Sequence, residues 1–334
     1  MAHRKTLIIV VVFLAAAILI AAPFIGMKEL QWGEIFTEGS SSDHDIFWKI
    51  RVPRVLTAFL AGAALALSGM VFQALFRNPL ATPFTLGVSA GAAFGAALAV
   101  KTGLTLSLLG LSSKSIFAFT GALMSISLVY GLTRLRRGFS TSTMLLAGVA
   151  VSFFFSSLIL FLQYLSDFTR SFHIVRWLMG GLEIVGYTPV MQLLPFIIPG
   201  SLAVFLSLNE LNLFLLGEDL AISRGVNVGR LKGILFIATS LMVGGVVAIT
   251  GPIGFVGMMS PHICRILIGH DHRDLSIVTL LFGGGFLTAC DTLSRTIIAP
   301  AEIPVGVITA LLGGPFFLWL LLKGDSEKSI FGDE

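Results

Sequence analysis

The sequence predicts an all-α polytopic membrane protein with about ten transmembrane helices. Three observations carry this. Only 12% of the 334 residues are Asp, Glu, Lys or Arg, and the mean hydropathy is +0.94. Those charges fall in short punctuation between long apolar runs. Glycine is abundant, at 36 residues, and recurs in runs such as Ala61-Gly62-Ala63-Ala64. Small residues let helix backbones approach closely where no hydrophobic force acts between helices. Lipid demands that each run satisfy its own backbone polar groups, which a helix does within one segment.

Taken in order, the candidate spans are 7–25, 55–76, 84–100, 115–133, 143–162, 190–208, 233–250, 253–269, 275–293 and 304–323. The first follows His3-Arg4-Lys5. A signal peptide is the alternative there, but the run is longer than a typical h-region, so an uncleaved span is preferred. The third and eighth are short or broken by glycine, a pattern that marks interrupted helices in transporters. Positive charge is biased, with about 13 basic residues on the side of the N-terminus and about 9 on the other. An even span count then puts both termini in the cytoplasm. The +4 net charge is scattered through loops and forms no basic stripe, which argues against nucleic acid as a partner.

Three polar islands interrupt the spans. Outside, 36–54 ends in Arg51-Val52-Pro53-Arg54, with Pro53 suited to the first turn of the second span and both arginines on one side of it. Also outside, 163–188 holds Asp167, Arg170, His173, Arg176 and Glu183, and fits a short interfacial helix ending at Gly180-Gly181. Inside, 216–232 places Glu218 and Asp219 at a helix start, where acids oppose the dipole, and Gly225 at its stop. A short cytoplasmic helix of about two turns between spans has the shape of a lever pressed by a soluble partner.

Other motifs read as packing. Gly87-Val88-Ser89-Ala90-Gly91 fits the hydrolase elbow, but it opens an apolar helix rather than a strand-to-helix turn. His270 and His272 make no metal ligand set, and no metal site is expected. Cys264 and Cys290 lie in apolar runs as core residues. Asp291 and Arg295, four apart, suggest a pair on one helix face. No G-x-x-x-x-G-K-[ST] occurs, so the chain does not hydrolyse ATP by a P-loop. Carboxylates near membrane depth are scarce, which weighs against the rival reading, an ion-coupled secondary transporter. A second rival is an intramembrane hydrolase acting through Ser89.

Taken together the motifs resemble the FecCD family of permeases from ABC importers, the group that carries vitamin B12, iron–siderophores and haem. The matching pieces are Arg51-Val52-Pro53-Arg54, Asn78-Pro79-Leu80-Ala81-Thr82-Pro83, Leu86 to Gly91, Ser140-Thr141-Ser142 with Leu146 to Ala150, and Arg176 to Gly181. They continue with the 216–228 island, Gly251 to Gly257 with Pro261-His262, Asp271-His272-Arg273 and Glu302 to Gly306. The resemblance implies a type II ABC importer permease fold in a single domain over 1–334, with two weakly related halves at about 1–165 and 190–334. It implies a homodimer with the path between the copies, two ATPase subunits that bind ATP and Mg, and a periplasmic or lipoprotein solute-binding protein. No cofactor is expected in this chain. By similarity Arg51, Arg54 and Arg295 dock the binding protein, and Thr141 and Ser142 form the cytoplasmic gate. Glu218, Asp219, Ala221, Ser223, Arg224 and Gly225 belong to the helix that couples to the ATPase, at about 216–228. Arg170, His173, Arg176 and Tyr187 are candidates to face an entering anionic chelate. The implied location is a bacterial inner membrane.

Overall fold

The computed structural model describes residues 2–36, 41–105, 107–108, 110–135, 141–182 and 184–323. Ser140 and Glu183, and Arg136, Arg137 and Lys328 among the basic residues on the side of the N-terminus, lie outside the described residues. The helices are α1 Ala2–Ala21, α2 Val52–Phe76, α3 Val88–Thr102, α4 Ser113–Leu135, α5 Thr141–Tyr164, α6 Phe168–Leu178 and α7 Thr188–Leu206. They continue as α8 Leu208–Leu215, α9 Glu218–Ser223, α10 Val228–Thr250, α11 Val256–Ile268, α12 His272–Ser294 and α13 Val305–Lys323. The strands among the described residues, Ser107–Leu108 and Leu111–Ser112, form one two-residue hairpin.

Each of the ten expected spans has its helix, and the protein is a multi-pass membrane protein. Seven are long and apolar enough to cross a membrane alone, and α3, α11 and α13 are shorter apolar helices. With 15 and 13 residues, α3 and α11 fall short of the roughly 20 that a full crossing takes. Both start later than expected, for a local reason. The Thr85 hydroxyl donates to the Thr82 carbonyl at 2.7 Å, and Gly87 takes φ +83°, so helix begins only at Val88. Ahead of α11 the chain stays irregular through Phe255 at φ +67°.

The core gathers around α2, which packs against α10, α11 and α12. Two glycine contacts set this packing. A Cβ on Gly69 would lie 1.6 Å from the Gly257 carbonyl oxygen of α11, and one on Gly62 would lie 2.3 Å from that of Gly283 on α12. Only glycine permits backbones this close. Leu65, Leu67, Met70 and Phe72 are fully buried beside them, with Phe236 of α10. Helices α1, α5, α7 and α13 instead leave large apolar side chains exposed, among them Phe13, Phe153, Ile198 and Leu318.

Some elements were not anticipated. The stretch between α1 and α2 contains short helical turns at Trp32–Ile35 and Ser42–Asp45, the second capped by Ser41, and a wide turn over Ile46–Arg51 that runs into α2. The lever is also built differently. Ser207 ends α7, α8 follows as a separate helix, and α9 is only six residues long. The 208–215 segment is too short for its apolar residues to repeat over enough periods to be recognised as a helix.

Candidate functional site

The expected docking and coupling residues lie toward the two ends of α12, while Thr141 and Ser142 lie on α5 and the four entry candidates on and after α6. With 23 residues at ~1.5 Å each, α12 separates its ends by about 34 Å.

At the arginine end, the folded subunit turns the expected docking side chains inward. Arg51, Arg54 and Arg295 are 5%, 8% and 4% exposed. Arg54 grips Asp291 through Nε and Nη2 at 3.0 and 2.9 Å, and its Nη1 reaches Glu302 at 2.9 Å. Asp291 is fully buried and also lies 3.8 Å from Arg295. Arg295 donates to the Ala22 carbonyl at 2.8 Å. Arg51 donates to the carbonyls of Pro23 and Phe24 at 3.2 Å and to that of Lys28. The close seat of this guanidinium leaves no room for a side chain at Gly26, whose Cβ would sit 2.6 Å from Arg51 Cζ. The i, i+4 spacing of Asp291 and Arg295 was legible, but the main partner of Asp291 comes from 237 residues away. No local spacing reveals such a partner, so an arginine that looked free for a partner protein is held within the chain.

At the opposite end, α9 stands on a buried foot. Ala221 is inaccessible, while Glu218, Asp219, Leu220, Ile222, Ser223 and Arg224 are exposed. Its stop is a Schellman motif: Val226 N–H donates to the Ala221 carbonyl at 3.0 Å and Gly225 N–H to that of Ile222 at 2.9 Å. Gly225 takes φ +85°, the left-handed value this motif requires. Asn227 then caps α10, accepting from Arg230 N–H at 3.0 Å. Glu218 accepts from Lys232 Nζ at 3.0 Å, tying α9 to α10. Arg77 donates to the Phe214 carbonyl at 3.0 Å, and its guanidinium and the Lys232 ammonium lie 5.1 and 5.4 Å from the Phe214 ring. These contacts seat α8 and α9 as one piece. Arg4 pairs with Asp274 at 3.0 Å, so the start of α1 lies at this same end. The Arg273 amide, then the Asn212 side chain, hydrogen-bond the Asp271 carboxyl and hold it below the usual carboxylate range. Burial, then the charge of Arg265, lowers the pKa of His270.

Thr141 and Ser142 form the first residues of α5, half-buried and exposed respectively. Arg170, His173, Arg176 and Tyr187 are exposed, the first three on α6 and Tyr187 at the start of α7. Asp167 caps α6, accepting from the Arg170 amide at 2.8 Å, which lowers its pKa. An apolar groove of about 570 Å³ lies nearby, lined by Phe84, Leu178, Met179, Pro252, Phe255 and Leu311, among others. None of the four candidate polar residues lines it. Ser89 is buried on α3, and Gly91 packs against α4, where a Cβ would meet the Gly121 oxygen at 2.4 Å. The glycines of that apparent elbow therefore serve helix packing. Cys264 and Cys290 are free and buried.

A bundle of apolar helices, two of them short and preceded by irregular chain, with an apolar groove, is the architecture of a polytopic membrane protein. The chain belongs to the FecCD transport family, whose profile matches residues 8–323. It is 39% identical over 295 residues to the hemin transport system permease HmuU of Yersinia pestis, covering 87% of this chain and 88% of that one. It is 42% identical over 279 residues to the vitamin B12 import system permease BtuC of Escherichia coli, covering 83% of each. It is 40% identical over 297 residues to YvrB of Bacillus subtilis, an uncharacterised ABC transporter permease, covering 87% of this chain and 84% of that one. Among solved structures, an inward-facing metal-chelate type ABC transporter matches with a TM-score of 0.84 at 31% identity, over 96% of this chain and 99% of that one. The protein is thus a permease of the ABC importer kind, a class that works with ATPase and substrate-binding partners.

Proposed function

We propose that this chain is the membrane subunit of an ATP-driven importer for a metal chelate: a ferric siderophore, haem or cobalamin. It works as a homodimer in a bacterial inner membrane, with both termini cytoplasmic and the path between the two copies. Two ATPase subunits bind the α9 end and hold the ATP and Mg. A solute-binding protein delivers the chelate at the arginine end. The observation that carries the reading is α9, a helix with a buried foot whose remaining side chains, apolar Leu220 and Ile222 included, face outward. Exposed apolar side chains on a charged cytoplasmic helix suit a protein partner rather than lipid. The groove and the bare faces of α5 and α13 supply an apolar half-path that a second copy completes. Few polar groups there suit a low-affinity conduit, with selectivity left to the binding protein.

Thr141 and Ser142, at the start of α5, narrow the cytoplasmic mouth. Arg170, His173, Arg176 and Tyr187 meet the chelate as it enters. At the arginine end we assign Arg51, Arg54 and Arg295 to docking by holding the shape of that surface, with Glu302, the partly exposed member of the network, nearest the partner. Electrostatic complementarity there governs encounter and partner choice.

The test is reconstitution. The permease, its ATPase and its binding protein are placed in liposomes, and uptake of cyanocobalamin, haemin and a ferric siderophore is measured. Uptake is expected to need ATP and all three components, and to survive an uncoupler. Uphill uptake by the permease alone, driven by an ion gradient, overturns the reading.

A further inference from the structure

We infer that a polar clasp between α8 and the turn leading into α12 is the joint through which the motion of α9 reaches the far end of the membrane domain. This rests on the ATP-driven reading above. The clasp is built from both asparagines of α8. Asn212 Nδ2 donates to Asp271 Oδ1 at 2.8 Å, and Asn212 Oδ1 accepts from the His272 backbone N–H at 2.8 Å, with His272 Nδ1 at 2.9 Å. Asn209 Oδ1 accepts from Arg273 Nε and Nη2 at 3.0 and 2.8 Å. Asn209 and Asn212 are three apart, so one helix face makes every contact.

Three features make this a joint rather than general adhesion. First, α8 runs straight into α9 through Leu216 and Gly217, and Phe214 is pinned by Arg77 and Lys232, so the pair moves together. Second, His272 opens α12 and is 1% exposed, so the clasp holds the buried start of a helix rather than a loose loop. Third, α12 is the one element that carries the clasp at one end and Asp291, the partner of Arg54, at the other. A push on α9 has a covalent route into α10. The clasp adds a second route, into α12, and so to the ionic network about 34 Å away. Asp271 and Asp274 also take Arg4 at 3.9 and 3.0 Å, so α1 follows the same turn. Asn209, Asn212 and Asp271–Arg273 are positioning residues.

The experiment uses the assembled permease–ATPase–binding-protein complex in liposomes and reads both hydrolysis and uptake of the same three chelates. For Asn212→Ala combined with Asn209→Ala, chelate moved per ATP is expected to fall at least about tenfold while hydrolysis stays within about twofold. Asn212→Gln, which keeps donor and acceptor, is expected to recover more than half of the ratio. An unchanged ratio, or an equal fall in hydrolysis and uptake, overturns the joint. Should the double variant fail to fold, an Asn209→Cys, Arg273→Cys pair is bridged after assembly with a short bifunctional thiol reagent; Cys264 and Cys290 are buried. A rigid joint keeps uptake when bridged, whereas loss of uptake means the two elements must slide and overturns it. A wild-type permease that binds no ATPase fails one step earlier, and removes the ATP-driven reading itself.

Discussion

The two ends of α12 use the same residue types for opposite purposes. At the arginine end, Arg54, Asp291 and Arg295 are dry, mutually paired and drawn from α2 and the end of α12. At the α9 end, Asp219 and Arg224 are exposed, and Glu218, itself exposed, pairs with Lys232 at 3.0 Å. Buried charges tolerate no missing partner, because the remaining ion stays desolvated. Exposed charges lose little when unpaired, since water replaces the partner. The first end therefore holds a shape, and the second presents one.

Five changes would break or sharpen that contrast. The largest effect is expected from Asp291→Ala, which removes the buried carboxylate between two guanidiniums and leaves Arg54 with Glu302 alone; loss of stability of about 3–5 kcal/mol should appear as a lowered unfolding temperature of the purified subunit. Charge reversal at Arg51 together with Arg295 belongs in the same range, and a doubly reversed subunit of wild-type stability would refute the framework role. Next comes Gly69→Ala. Its Cβ would strike the Gly257 oxygen, and overpacking between α2 and α11 should cost about 3 kcal/mol. Gly225→Ala places a Cβ in left-handed backbone at φ +85°, for about 1–2 kcal/mol. Here the informative readout is ATPase association, which should weaken more than the subunit's stability. The smallest effect is expected from Lys49→Glu. Lys49 pairs with Asp45 at 2.7 Å on an exposed surface, so stability should move by no more than about 0.5 kcal/mol. A larger change would mean that this exposed surface is more tightly built than its partners indicate.

How far the sequence was legible follows the range of the interactions. The spans were readable because lipid imposes a local rule, about 20 apolar residues per crossing. The lateness of α3 and α11 was hinted at by Pro83 and by Gly251-Pro252-Ile253-Gly254. The stop of α9 was readable from Gly225 alone, since its conformation is set within a few residues. Not readable were α8, too short for a periodic signal, and the clasp, whose asparagines reach about 60 residues along the chain. The Asp271-His272-Arg273 motif was noticed as a pattern, but its partners Asn209 and Asn212 carried no signal of their own.

By itself the sequence determined the class of solvent, the helical state and the order of the spans, because hydropathy and backbone hydrogen bonding act within a single segment. Which charges remain available to other molecules was decided only by tertiary structure. Arg51 and Arg54 lie three residues apart in the chain, yet one is satisfied by carbonyls of the preceding loop and the other by carboxylates some 240 residues away. Desolvation depends on what folds over a side chain, and that is a property of the whole bundle.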